Sequence, residues 1–297
     1  AFGIGLFHIQ QHQIDQPQQL FDGRVPHPAV RVDADVDAGL LQRLYERNEF
    51  RGLEYFQALF QDEYFWRGLR NSLGMGVLKI IFSYVFSLML AVMINEVRVS
   101  WFKRTVQTIS YLPHFISMVI VAGMVREILS TSGPINNLIT KLGGEAITFI
   151  SLPEWFTTIF VTTGVWQGLG WGTILYLAAM SGINTELYEA AELDGANRFQ
   201  QCLHVTIPAI LPTISTLLVL NIGSLCGSAA FEKVFLLYTP TTYETADIIA
   251  TYVYRMGLGS GNYSYATAVG LFQGVINLVL LTVANKVSSW LTGSGLW

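Results

Sequence analysis

Residues 189–208 read EAAELDGANRFQQCLHVTIP, and the reading of the chain turns on them. They spell an acidic amphipathic helix, a break at Gly195, and a second short amphipathic helix ending at Pro208. Asn184 or Thr185 can cap the first helix, and Glu186 and Glu189 fall in its first turns, where the dipole favours anions. Gly195 stands where a left-handed C-cap closes a helix, and Asn197 can cap the next one. On both sides the sequence is apolar: 155–185 and 205–231 contain no Asp, Glu, Lys or Arg. A polar hairpin between two such stretches has to sit outside the lipid.

Working outward, 256–285 is a third uncharged run. A helix needs about 20 apolar residues to cross roughly 30 Å of hydrocarbon. The chain is 52% hydrophobic and 13% charged, about half the charge of an ordinary soluble domain. Three uncharged runs and so few charges favour membrane spans over buried helices of a soluble core. The expected class is all-α and integral to the membrane. Five spans are expected, at about 73–95, 106–126, 156–180, 209–231 and 265–289. They form a core over 73–297, with the hairpin at 184–208. Lys79 lies near the start of the first span, where a lysine can snorkel outward.

Residues 1–72 read as a separate N-terminal segment. AFGIGLF at 1–7 is apolar but too short to cross, and it reads as the remnant of a first, sixth span. The stretch 8–40 is rich in Gln, Asp and Pro and reads as an external loop. From Leu41 the chain looks helical, and Tyr45, Phe50, Tyr55, Phe56, Phe60, Tyr64, Phe65 and Trp66 suit a membrane–water interface.

Arg98, Lys103 and Arg104 cluster in one short loop, which the positive-inside rule places in the cytoplasm. Alternation then puts the 184–208 hairpin on the same side. Its acidic face disfavours rest on an anionic inner leaflet and favours a protein partner. Pairs of glycines four apart, at 164/168, 223/227 and 270/274, allow close helix contacts, either within the bundle or at a subunit interface.

The net charge of −4 gives no reason to expect nucleic acid. Cys202 and Cys226 fall in a polar and an apolar stretch, so no disulfide joins them on this reading. His8 and His12 share a helical spacing but lack a third metal ligand, and His114 beside Pro113 suits a kink better than a proton relay. No acid lies in the middle of a span, which weighs against proton coupling. A stand-alone secondary transporter or channel is therefore the second choice of function. For a transport path, aromatic and hydrogen-bonding groups in the spans are the candidates: Gln167, Trp171 and Asn221, each of which could equally serve helix packing.

Glu189, Ala190 and Ala191, with Gly195 six residues after the Glu and Pro208 thirteen after the Gly, resemble the EAA signature of permease subunits of binding-protein-dependent ABC importers. Val205 and Ile207 depart mildly from that pattern. RGLEYFQALFQDEYFWRGLRNSL at 51–73, YLPHFIS at 111–117 and LYTPTTYETADIIATYVYR at 237–255 are similar to the carbohydrate branch, notably permeases for oligosaccharides and for polysaccharides such as alginate. The resemblance covers about 50–297. It implies a type I importer bundle in the bacterial inner membrane, working as a heterodimer with a second permease over two cytoplasmic ATPases. It implies that a solute-binding protein delivers the carbohydrate, and that Glu189, Ala190, Ala191, Gly195 and Pro208 couple the bundle to an ATPase. ATP and magnesium would be held by the partners, since this chain has no Gly-Lys of a Walker phosphate loop. No cofactor and no enzymatic activity are expected of the chain itself.

Overall fold

The computed structural model describes residues 53–293 and 295–296, and every described element is helical. The expectations for 1–52, among them the first-span remnant, His8, His12, Tyr45 and Phe50, lie outside the described residues.

Helix α1 (Glu54–Gln61) stops at Asp62, which caps the long α2 (Glu63–Glu96) by accepting a bond from the Tyr64 N–H at 2.9 Å. At 1.5 Å per residue the 34 residues of α2 run about 51 Å, well beyond a bilayer core. The helix starts ten residues before the expected span because its first turns are buried by protein. Asn71 donates to the carbonyls of Glu244 and Asp247, and Ser72 Oγ accepts the Ile249 N–H at 3.0 Å. Leu59 and Phe65 are fully buried with Ile249, Tyr252 and Val269, whereas Phe60, Tyr64 and Trp66 stay exposed.

The second expected span is two helices. α3 (Ser100–Tyr111) runs through a 3-10 turn at Leu112–Phe115 and meets α4 (Met118–Ile128) at 96°. Pro113 has no N–H to continue the ladder, and Ser117 restarts it by accepting the Ile120 N–H. After α5 (Pro134–Lys141) comes α6 (Pro153–Ser181), 29 residues that pack along α2 and also touch α3 and the 3-10 turn. Threonines, glycines and Gln167 interrupt its apolar run, so that, unlike the expected span at 156–180, it is not among the helices apolar enough by composition to cross a membrane. That is tolerable because Phe156, Phe160, Thr163, Gly164, Gly170, Thr173 and Tyr176 are buried among neighbours.

α7 (Thr185–Leu193) and α8 (Arg198–Gln201) form the hairpin. α8 does not end at Pro208. It runs through a π turn at Cys202–Thr206 into α9 (Ile207–Gly223), one continuous helix of 26 residues. α9 stops eight residues before the expected boundary. The Gly223 position lies against Leu281, and the chain turns there, with the Cys226 N–H donating to Asn277 Oδ1 at 3.2 Å. Three short helices, α10 (Phe231–Leu237), α11 (Tyr243–Ala246) and α12 (Ile249–Tyr254), build a cap. Asp247, fully buried, holds Arg255 there through two bonds of 2.6 and 2.7 Å. α13 (Tyr263–Thr292) closes the bundle against α9.

Among the described residues, three helices are long and apolar enough to cross a membrane (Glu63–Glu96, Arg198–Gly223 and Tyr263–Trp290), and the bent α3–α4 pair makes a fourth. Of the glycine pairs, Gly164 and Gly223 lie against Lys233 and Leu281, while Gly270 and Gly274 face open space in this chain. The tightest helix contact belongs to a glycine outside those pairs. A Cβ on Gly170 of α6 would stand 2.0 Å from the Ser110 carbonyl oxygen of α3. Backbone cannot yield as a flexible side chain can, so Gly170→Ala should destabilise the bundle by about 1–3 kcal/mol or more. Gly123→Ala, with nothing within 4 Å, should not. Thermal unfolding of the detergent-extracted protein compares the two, and equal midpoints would refute the close approach.

Candidate functional site

The hairpin is built by side-chain caps at each turn. Asn184 Oδ1 accepts the Glu186 N–H at 3.1 Å and opens α7. α7 closes in a Schellman arrangement: Gly195 N–H donates to the Glu192 carbonyl at 3.0 Å and Ala196 N–H to the Ala191 carbonyl at 2.8 Å, with Gly195 at φ +79°. Asn197 and Gln200 then form a reciprocal capping box of 2.9 and 2.8 Å that starts α8.

The π turn follows from Pro208. A proline at the second position of α9 gives no N–H to the His204 carbonyl, so the ladder widens by one residue and Ile207 N–H reaches Cys202. Tyr188 and Thr206 share a hydrogen bond of 2.9 Å that ties α7 to this turn. Arg198 bonds Glu96 at 3.0 Å, which places the hairpin at the same end of the bundle as the Arg98–Arg104 loop.

Glu189, Ala190, Gly195 and Pro208 are exposed, and Ala191 is half-buried. Between the two arms lies an open cleft of about 440 Å³, lined by Leu187, Ala190, Ala191, Gly195, Gln200 and Val205. The small residues thus floor a notch in the hairpin itself. Around it, Leu193 is 91% exposed and Phe199 75% exposed. Apolar side chains so bare, on an elbow set off from the spans by polar and charged residues, form a surface suited to another protein.

The three candidate path residues are not brought together. Asn221 of α9 lines a cavity of about 80 Å³ between α2 and α9, and donates to Tyr84 Oη at 3.2 Å and to the Leu217 carbonyl. Gln167 instead donates to the Ile116 carbonyl at 3.1 Å, at the break between α3 and α4. Trp171 stacks on His114 at 4.4 Å with rings 7° apart, so that histidine is packed against an aromatic face. The same cavity is lined by Lys79, which does not snorkel to the end of α2 but reaches across to α6 at Gly164. Lys233, just past the uncharged run 205–231, is buried at the same glycine. Lys79 was legible as the one charge inside its span. Lys233 gave only the hint of standing two residues past an apolar run.

In the cap, Asp62 Oδ2 accepts from the phenols of Tyr252 and Tyr265. Burial, then the bond to Asp62, pushes the Tyr252 phenol well above its ordinary range. Burial, with Tyr243 beside it, raises Tyr238 to about 12.

Comparison with known proteins places this geometry. The family described as binding-protein-dependent transport system inner membrane component matches residues 83–292. Protein LplB of Bacillus subtilis (strain 168) is 42% identical over 252 residues, which are 84% of this chain and 79% of that protein. The polygalacturonan/rhamnogalacturonan transport system permease protein YteP of the same organism is 41% identical over 84% of this chain and 78% of its own length. Among solved structures, a bacterial alginate ABC transporter in complex with an alginate pentasaccharide-bound periplasmic protein contains a chain 44% identical. It has a TM-score of 0.80 and covers 86% of this chain and 88% of its own. A chain of the inward-facing MetNI methionine ABC transporter, 18% identical with a TM-score of 0.56, shares the fold.

The left-handed backbone at Gly195 is a local property that can be tested on this chain. No atom stands within 4 Å of a Cβ there, so the cost of substitution is conformational alone. Gly195→Val should loosen the elbow by about 1–2 kcal/mol and Gly195→Asn by less. Amide exchange at Gly195 and Ala196 reads this directly, and unchanged protection in the valine variant would contradict the assignment.

Proposed function

This chain belongs to the family of binding-protein-dependent transport system inner membrane components, and from that premise we propose how its elbow and its cargo serve the family's task. It is a multi-pass permease subunit of an ABC importer in the inner membrane. On our reading the cargo is a carbohydrate, an oligosaccharide, with an alginate-type chain among the fitting substrates. A solute-binding protein delivers it from outside. YteP is a polygalacturonan/rhamnogalacturonan transport system permease protein and the chain 44% identical belongs to an alginate ABC transporter, which supports this substrate class.

The exposed elbow carries the reading. Leu193 and Phe199 are bare, and the notch floored by Ala190, Ala191 and Gly195 is open. We assign Glu189, Ala190, Ala191, Gly195 and Pro208 to coupling. A side chain of a cytoplasmic ATPase fills the notch, Leu193 and Phe199 are covered, and Glu189 meets a cation of that partner. Pro208 acts through the π turn that joins elbow to span. A second permease subunit completes the path, and two ATPase subunits hold ATP and magnesium and perform the hydrolysis. This chain performs none. Gln167, Trp171 and Asn221 remain our assignments to the sugar path, with Asn221 the one set in the cavity.

The test is the complete importer in proteoliposomes. Glu189→Lys should leave the subunits assembled but remove the stimulation of ATP hydrolysis by loaded binding protein, and lower uptake by roughly tenfold or more. Leu193→Asp with Phe199→Asp should prevent the ATPase from co-purifying. If both variants assemble and transport as the unaltered protein does, the elbow is not the coupling surface.

A further inference from the structure

The cavity between α2 and α9 holds a charge arrangement that coupling does not explain. Lys79 stands at the middle of α2, with 16 helical residues before it and 17 after. That is about 25 Å from either end. Its side chain lines the cavity together with Ser72, Ser83, Tyr84, Asn221 and Ser224. Lys233, 6% exposed, lies beside it. A Cβ built on Gly164 would be 2.6 Å from Lys233 Nζ and 3.9 Å from Lys79 Cε, so both side chains converge on one glycine of α6. Lys233 Nζ donates to the Phe160 carbonyl at 3.3 Å and lies 4.6 Å from the Phe160 ring centre. Among the described residues, the ion pairs are Arg198–Glu96 and Arg255–Asp247, and neither lysine has a carboxylate partner.

Two lysines side by side in a buried site, without an acid, cost stability rather than add it. A packing role asks for no charge there, and apolar side chains would fill the space better. Carbonyl and ring contacts offset part of the cost at Lys233, whereas Lys79 lines the cavity. About 80 Å³ accommodates a few waters or a carboxylate-sized group. The surrounding hydroxyls of Ser83, Tyr84 and Ser224 and the amide of Asn221 suit sugar hydroxyls.

We propose that Lys79, backed by Lys233, is an anion subsite of the transport path, and that it takes the carboxylate of an acidic sugar unit as the chain passes. This rests on the carbohydrate-permease reading and narrows it to glycans bearing uronic acids. Lys79 makes the direct contact. Lys233 raises the local positive potential and is a positioning residue. The neutral lining hydroxyls hold the ring, and the lysine pair selects for charge.

The experiment uses the complete importer with its binding protein, in proteoliposomes, and two probes: a mixed pool of uronic acid oligosaccharides, and the same pool after reduction of its carboxyls to alcohols. The unaltered importer should take up the acidic pool in preference to the reduced one. Lys79→Gln should lower uptake of the acidic pool by about tenfold or more while leaving the reduced pool unchanged. Lys79→Arg should restore most of the acidic uptake. Lys233→Met should reduce the preference without abolishing transport. Because the pair is unneutralised, neither neutral variant should lower the melting point of the extracted complex, whereas a structural role for the lysines predicts a drop in both. If the unaltered importer moves both pools and Lys79→Gln leaves their ratio unchanged, the anion subsite is wrong and the permease reading stands. If it moves neither pool, the carbohydrate reading fails and the subsite with it.

Discussion

A backbone polar group in lipid has no water to turn to, and this bundle is arranged around meeting that demand where its helices break. The break at Leu112–Phe115 frees carbonyls in the middle of the α3–α4 pair. Gln167 of α6 reaches one of them, at Ile116. Gly170, one turn on, lets α3 approach until the Ser110 carbonyl lies against the α6 backbone. On the opposite side, Ser87 of α2 donates to the Leu169 carbonyl at 3.2 Å and presses on Gly172. Polar and small residues on α6 are thus what allows its neighbours to be irregular. A more apolar α6 would insert more readily and leave the broken pair unsatisfied.

The two ends of the bundle solve different problems. At the cap end, short helices are fixed by buried polar groups. Asp247 holds Arg255, Asn71 holds the carbonyls of Glu244 and Asp247, and Asp62 gathers two tyrosines. Breaking such a buried pair by removing one partner costs about 3–5 kcal/mol, so this end is rigid by construction. At the elbow end the caps are local and the apolar side chains are left bare. One end is closed by the chain's own buried polar groups, and the other leaves Leu193 and Phe199 uncovered in this chain.

Much of this was legible in the residues. Uncharged runs marked the long helices, because lipid tolerates few charges. Gly195 and Asn197 announced the elbow, because few residues take a left-handed turn or cap a helix. The failures have a common cause. Pro113 and Pro208 were read as local punctuation and Gly223 as a helix-contact glycine, yet their effects depend on what packs beside them. Pro113 bends the chain by 96° because Ser117 and Gln167 stabilise the bent form. Pro208, ten residues after Arg198 in the continuous helix, with Tyr188 bonded across to Thr206, only widens a turn. Gly223 ends α9 because Asn277 and Leu281 stand there to receive the turn. Lys79 and Lys233 are 154 positions apart, and no local pattern could show that they share one glycine.

The path from elbow to cavity has links of very unequal strength. The Arg198–Glu96 pair joins the elbow to α2, but both side chains are about a third or more exposed, and such pairs contribute about 0–1 kcal/mol. The other link is covalent and helical. α8, the π turn and α9 form one 26-residue helix, Arg198–Gly223, which starts at the elbow and carries Asn221 at the cavity. On the coupling reading proposed above, a push on the elbow is carried by α9, and α2 follows through its packing rather than through the surface ion pair. The π turn loosens the ladder of this rod beside the elbow, where Tyr188 braces it with a single hydrogen bond, and Pro212 inside α9 leaves a second gap because it has no N–H to give. Both prolines lie between Arg198 and Asn221, so the loosened part of this rod falls between the hairpin and the wall of the cavity.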